Sequence, residues 1–215
     1  MIDLVVFLGN HGGQYAHNRH NAGRILAERL SFFSFLNWQR KYKGCYAALE
    51  REALAAYTSS LDDPAERAVQ TGRVHFLMPE TFMNLSGDSV IAAASFFKIE
   101  PENIVLVHDE LELPLGTAAF KFSGGLGGHN GLRSMRLNFG TADFWRLRIG
   151  IGRPNHSDIA GWVLSDFSAA EIPVLDRVLE VCAPALIRAI LHGPEVMLPE
   201  WNKKKIVLQP SPPDS

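Results

Sequence analysis

The sequence predicts an α/β fold: a single three-layer domain with a mixed, mostly parallel sheet flanked by helices. Three kinds of observation carry this reading. Short apolar runs rich in β-branched residues alternate with segments of helical periodicity along the chain. The 215 residues are 47% hydrophobic and 20% charged, enough for one sizeable core. Polar motifs recur where apolar runs end, and in an open α/β sheet the carboxyl ends of the strands face one crevice.

The elements follow in order. Residues 2–8 are an apolar run and read as a central strand buried on both faces. Residues 9–13 form a turn-rich loop, and 21–30 read as helix, with Ile25, Leu26 and Leu30 on one face. Residues 43–57 read as one or two strands. The polar stretch 58–72, with Pro64 and Gly72, is a surface loop. Residues 74–78 are a strand stopped by Pro79. A helix is expected over 86–98, where Val90, Ala94 and Phe97 share a face. Residues 104–107 are the next buried strand, with Asp109 just beyond it. An edge strand at 117–122 leads through a glycine-rich loop, 124–128, to a helix at 130–138. Residues 145–151 are a further strand, where Arg146 and Arg148 alternate with apolar neighbours. Ser168 and Glu171 have capping-box spacing ahead of a long helix faced by Ile172, Leu175, Leu179, Cys182 and Leu186. Pro184 should kink or restart that helix. The domain is expected to span 1–202. Residues 203–215, basic and then Pro/Ser-rich, read as a flexible tail.

Composition excludes some classes. A net charge of −2 gives no global sign of nucleic-acid binding, so any basic footprint must be local. The two cysteines, Cys45 and Cys182, sit in apolar surroundings and read as reduced, buried thiols of a cytoplasmic protein. The apolar run at 4–8 is too short for a signal peptide. No segment approaches the roughly 20 apolar residues of a membrane span.

Four polar motifs carry the chemistry: Gly9-Asn10 leading to Arg19-His20-Asn21, then Thr81-Phe82-Met83-Asn84, His108-Asp109-Glu110, and Gly127-Gly128-His129-Asn130. At one sheet edge they would supply a histidine, a carboxylate and three asparagine amides, a set suited to general-base hydrolysis. His20 can accept a proton near neutral pH; taken alone it also reads as a capping or surface residue. Asp109 can hold an imidazole through its Nδ1–H, or cap its own loop. Glu110 and Glu112 read as solvated. No serine or cysteine sits in a nucleophile elbow, which favours water as nucleophile. Asn10, Asn84 and Asn130 could grip a peptide main chain, although each alone also reads as a turn or cap residue.

The glycine-rich loop lacks the Lys-Ser/Thr of a P-loop and the dinucleotide fingerprint, so it reads as backbone passing close to a ligand. His11, His17, His20, His108 and His129 invite a metal, but no HExxH or other tight spacing appears, and no metal is expected. Lys121, Arg133, Arg136, Arg146 and Arg148, with the run 203–205, are either solvated faces or phosphate contacts.

Taken in order, GN before RHNAG, then TFMNLSG, HDELELPLG, GGHNGL and RLRIGIGRP closely resemble the motifs of bacterial peptidyl-tRNA hydrolases, over about residues 4–202. The resemblance implies a monomeric, cofactor-free esterase. Its substrate would be peptidyl-tRNA, cleaved at the ester joining the peptide to the terminal ribose, so that tRNA from prematurely released chains is recycled. It implies His20 as the base that activates water, Asp109 as its stabiliser, and Asn10 as the residue that distinguishes N-blocked peptidyl groups. Tyr15, Phe82, Asn84 and Asn130 would contact the tRNA end or the peptide, and Met83 and His129 would line the cleft. Lys121, Arg133 and neighbouring arginines would meet tRNA phosphates. The chain departs from the family at His11, where proline is common, and at Ala119, where some relatives carry lysine. The 58–72 segment is longer than in compact relatives, and Pro184 and the Pro-rich tail are unusual. Two other readings stand beside this one: a non-catalytic RNA-binding relative, which retention of His20 and Asp109 argues against, and a metal-dependent hydrolase using the histidines.

Overall fold

The computed structural model describes residues 1–57 and 71–206. Among the described residues, eight strands form one sheet. They are β1 (Leu4–Phe7), β2 (Gln39–Lys41), β3 (Gly44–Glu50), β4 (Arg73–Pro79), β5 (Ile104–Glu110), β6 (Thr117–Phe122), β7 (Trp145–Gly150) and β8 (Lys204–Lys205). Their order is β2-β3-β4-β1-β5-β7-β6-β8. The neighbours β4, β1, β5 and β7 run parallel. Both flanks pair antiparallel. The parallel character expected of the sheet belongs to these four central strands.

The three layers follow from the period-2 alternation of the strands. Val5, Phe7, Val105 and Val107 pack on one face against α1 (Ala22–Glu28) and α6 (Ile172–His192). Leu4, Val6 and Leu106 pack on the other against α3 (Ser86–Phe97) and α4 (Asn130–Phe139). The short helices α2 (Arg51–Ala55), α5 (Ile159–Val163) and α7 (Leu198–Trp201) complete the set. No helix among the described residues is long and apolar enough to cross a membrane.

Several expectations are corrected. The 43–57 stretch is strand only to Glu50; then Arg51-Glu52-Ala53-Leu54-Ala55, all strong helix formers by propensity, coil into α2 and bury Leu54. Arg51 is buried there because its guanidinium reaches Asp3 and the carbonyl of Ile190. The strand β2 was not anticipated, since Gln39, Arg40 and Lys41 are all exposed and show no apolar alternation. Its hairpin turns through Tyr42 and Lys43, both with positive φ (53° and 54°), the handedness that suits a two-residue connection. Asp109 lies within β5, opposite Ile149, rather than beyond the strand.

Pro184 does not restart α6, which runs unbroken through it. Pro184 and Glu180 are both exposed, so water can serve the carbonyl that proline leaves without a donor. Burial of Ala185, Leu186 and Ile187 carries the helix onward. The Ser168–Glu171 pair makes half of a capping box. The Ser168 N–H donates to Glu171 at 2.8 Å, but its hydroxyl donates to the same carboxylate at 2.7 Å instead of accepting from the backbone.

The basic stretch expected to be a free tail begins as β8 on the edge of β6, and the N–H of Ile206 donates to the carbonyl of Gly116. An exposed edge offers unpaired backbone groups that such a segment satisfies. Residues 58–70 of the expected surface loop and 207–215 of the expected tail lie outside the described residues. Both cysteines are free, but Cys45 is half-buried and its thiol donates to Glu80 at 3.4 Å.

Candidate active site

The site is assembled by close approach at the carboxyl ends of the central strands. A Cβ on Gly23 would sit 2.3 Å from the Val107 carbonyl oxygen and 2.8 Å from that of Leu8. Glycine there lets α1 start hard against the ends of β1 and β5. The 3-10 turn Arg19–Asn21, immediately before α1, is thereby set beside the end of β5. His20 Nδ1 lies 2.9 and 3.0 Å from the two carboxylate oxygens of Asp109.

A second imidazole completes the cluster. Gly127 and Gly128 adopt positive φ (58° and 77°), a conformation that costs glycine nothing, and deliver His129 to the start of α4. His129 Nδ1 accepts from the N–H groups of Gly131 and Leu132 at 3.1 and 3.4 Å, capping the helix. Its proton is therefore on Nε2, which donates to Asp109 Oδ1 at 3.0 Å. Asp109 thus accepts from two rings. His108 buttresses it from behind, donating from Nδ1 to the Asp109 carbonyl at 2.6 Å.

The electrostatics follow from burial and pairing. Burial pushes the Asp109 carboxyl up, but the His20 charge and the hydrogen bonds from both rings hold it well below the usual carboxylate range. Burial alone would lower the pKa of His20. The Asp109 charge and hydrogen bond more than offset this, and it ends above the ordinary histidine value. Burial, reinforced by the His129 ring, keeps His108 well below that value.

The ligand atoms of His20, Asp109 and His129 lie within 4.8 Å of one another, a grouping that sequence spacing did not foresee. Their hydrogen bonds, however, already use both nitrogens of His129 and Nδ1 of His20. Only one imidazole nitrogen of the group, His20 Nε2, keeps a free lone pair. That donor set fits a proton-transfer site better than a metal centre.

Asn10 is locked from three directions. Its N–H donates to Asn21 Oδ1 at 2.8 Å, its carbonyl accepts from Asn21 Nδ2 at 3.1 Å, and its own Oδ1 accepts from the Met83 N–H at 2.9 Å. This fixes the amide orientation and leaves Nδ2 as a donor without a protein partner among the described residues. Asn10, Tyr15, Phe82, Met83 and Asn84 line one lobe of a cleft, about 460 Å³. Asp109, His129 and Arg133 line a second lobe, about 280 Å³. His20 and Asn130 belong to both, so His20 stands where the lobes meet.

Lys121 is in neither lobe. It lies on β6 near Arg146 and Arg148; burial and these two charges lower its pKa. Arg146 is buried and donates to the Gly125 carbonyl at 2.8 Å, while its Nε and Nη2 have no hydrogen-bond partner among the described residues. Glu110, expected to be solvated, is buried because Arg148 pairs with it at 2.9 Å. Glu112 is exposed, as expected, and pairs with Arg153.

Three contributors had no role assigned to them in the sequence reading. Asn21 is a further amide, and it orients Asn10 rather than facing substrate; its signal was adjacency to His20. Arg19 is buried beside His20 and reaches Glu171, 152 residues away, a pairing no local pattern announces. The α5 residues Ala160 and Val163 line both lobes but belong to a short helix without clear periodicity.

Comparison with known proteins identifies the family. A family model described as peptidyl-tRNA hydrolase matches residues 4–208. A peptidyl-tRNA hydrolase of Desulfitobacterium hafniense is 41% identical over 201 residues, covering 93% of this chain and 99% of the relative. One from Haemophilus influenzae is 45% identical over 183 residues, covering 83% of this chain and 85% of the relative. The crystal structure of peptidyl-tRNA hydrolase from Acinetobacter baumannii superposes with a TM-score of 0.76 at 31% identity, covering 95% of this chain and 96% of that one. On a match this long, carried by sequence and fold alike, the chain belongs to the peptidyl-tRNA hydrolase family.

Proposed function

We propose that the protein hydrolyses the ester between peptide and tRNA in N-blocked peptidyl-tRNA, with His20 as general base on water, and so recycles tRNA from prematurely released chains. The observation that carries this reading is the buried His20–Asp109 pair at the junction of the two lobes. Asp109 holds Nδ1–H, which leaves Nε2 to take a proton from water. The water oxygen bonds to the acyl carbon, and the carbonyl electrons move onto the oxyanion. As the carbon–oxygen bond to the ribose breaks, the imidazolium returns its proton to the departing 3′-oxygen.

Asn10 Nδ2 supplies selectivity. It donates to a carbonyl oxygen of the blocked amino group, which a free aminoacyl ester replaces with an ammonium. Tyr15, Phe82, Met83 and Asn84 present apolar and amide surface to the peptide or the terminal nucleotide in the same lobe. Asn130 bridges the lobes beside the reacting ester. Arg133 faces the second lobe, and Lys121 stands beside Arg146, whose guanidinium has no ion-pair partner among the described residues; both Arg133 and Lys121 meet tRNA phosphates, for which this local positive charge is supporting chemistry.

The test is turnover of acetylated against unacetylated aminoacyl-tRNA. Much faster cleavage of the acetylated ester is expected; equal rates would remove the role given to Asn10.

A further inference from the structure

Arg19 is an almost fully buried cation, 4% exposed, one residue before His20. Each guanidinium nitrogen is engaged. Nη1 and Nη2 donate to the two oxygens of Glu171 at 3.0 and 2.8 Å, and Nε donates to the Ser165 hydroxyl at 3.2 Å. The guanidinium plane lies 3.7 Å over the Trp162 ring. The Arg19 N–H donates to the Ser165 carbonyl at 2.9 Å, and Asn18 forms a β-bridge with Asp166. The turn that bears His20 is thus bolted on one side to β5, through Asp109, and on the other to segment 162–171. That segment continues α5, whose Ala160 and Val163 form a wall of both lobes.

A surface ion pair is screened and adds little. A bidentate pair holding a buried charge fixes geometry, and lysine cannot reproduce its fork. The Arg19 hydrogen bonds, foremost, draw the Glu171 carboxyl down to about 2, consistent with a tight clamp.

We infer that Arg19 is a positioning residue for the hydrolysis: its clamp with Glu171 sets where His20 stands relative to the α5 wall. This rests on the reading of His20 as the base. The clamp touches neither water nor ester; it acts through the distance between the base and the surface against which the ester lies.

The experiment compares full-length Arg19→Lys, Glu171→Gln, the double variant, His20→Ala and wild type on N-acetyl-aminoacyl-tRNA, with folding followed by circular dichroism. Folded Arg19→Lys should lose about tenfold or more in kcat with KM within about twofold, because binding surfaces are untouched while the reactive geometry slips. Glu171→Gln should lose less, in the same parameter. The double variant should be no more than about twofold slower than Arg19→Lys, since both changes remove one clamp. A folded Arg19→Lys with wild-type kcat, a loss confined to KM, or losses that multiply in the double variant would each overturn the inference. If Arg19→Lys does not fold, Glu171→Gln decides: an unchanged kcat sinks the clamp. Undiminished turnover by His20→Ala would instead remove the base assignment.

Discussion

Replacing Asp109 with asparagine changes one atom and removes one charge, and its effect can be worked from the geometry. Asp109 Oδ1 accepts from both His20 and His129, whereas Oδ2 faces His20 alone. An asparagine that keeps its oxygen at the shared position preserves both imidazole bonds and puts its amide where Oδ2 was. With Nδ1–H still held by the shared oxygen, the imidazolium that forms in the transition state loses a carboxylate and meets an amide donor where Oδ2 was. At an effective dielectric of 20, opposite charges about 4 Å apart attract by about 4 kcal/mol. At about 1.4 kcal/mol per decade that is a loss of roughly a thousandfold in kcat.

The pH profile should move as well. His20 works as a base only when neutral, so activity falls as pH drops through its pKa. In the wild type Asp109 holds that pKa above the ordinary 6.5, and the acid limb lies correspondingly high. In Asp109→Asn burial dominates, and the limb should shift to lower pH. The assay is release of N-acetyl amino acid from N-acetyl-aminoacyl-tRNA between pH 5 and 9, with substrate integrity controlled. A loss smaller than about tenfold, or an acid limb that stays in place, would refute the carboxylate's electrostatic role.

Three further outcomes are expected. Asn10→Asp keeps the acceptor for the Met83 N–H but turns the free donor into an acceptor; the preference for acetylated over unacetylated ester should fall by about tenfold or more, a shift of roughly 1.4 kcal/mol, and an unchanged ratio would show that another group reads the blocked amine. Gly23→Ala forces a methyl against the Val107 carbonyl and should destabilise the fold by about 1–3 kcal/mol in thermal melts, whereas an unshifted melting temperature would deny the close approach of α1. Glu171 is held at about 2 against an ordinary 4.5, so its folded-state pKa is depressed and its stabilisation is present above about pH 4.5 and lost as pH falls toward 2; the melting-temperature gap between wild type and Glu171→Gln should therefore close in that window, and a gap independent of pH would speak against the ion pair.

Much of the site was legible because the chemistry sits at strand ends that apolar patterning marks. Residues 4–8 and 104–107 announced two neighbouring central strands, and the polar residues beyond them had to share an edge. The mostly parallel sheet was read from those strands, and the antiparallel flanks were less visible: β2 is polar throughout, and β8 is two lysines paired with Thr117 and Ala118. Glu110 read as solvated and Arg19 drew no role of its own because their partners, Arg148 and Glu171, lie far along the chain. Burial of a charge is decided by such partners, which no local window contains. The His129 bond to Asp109 escaped for the same reason, since the sheet and the α4 cap, rather than spacing, bring these residues together.

The account turns most directly on hydrolysis of N-acetyl-aminoacyl-tRNA by wild type and His20→Ala with EDTA present. It predicts rapid cleavage by the wild type, unaffected by the chelator, and a loss of about a thousandfold in the variant with tRNA binding retained. Sustained turnover by His20→Ala, or wild-type activity abolished by EDTA and restored by a divalent metal, would contradict it.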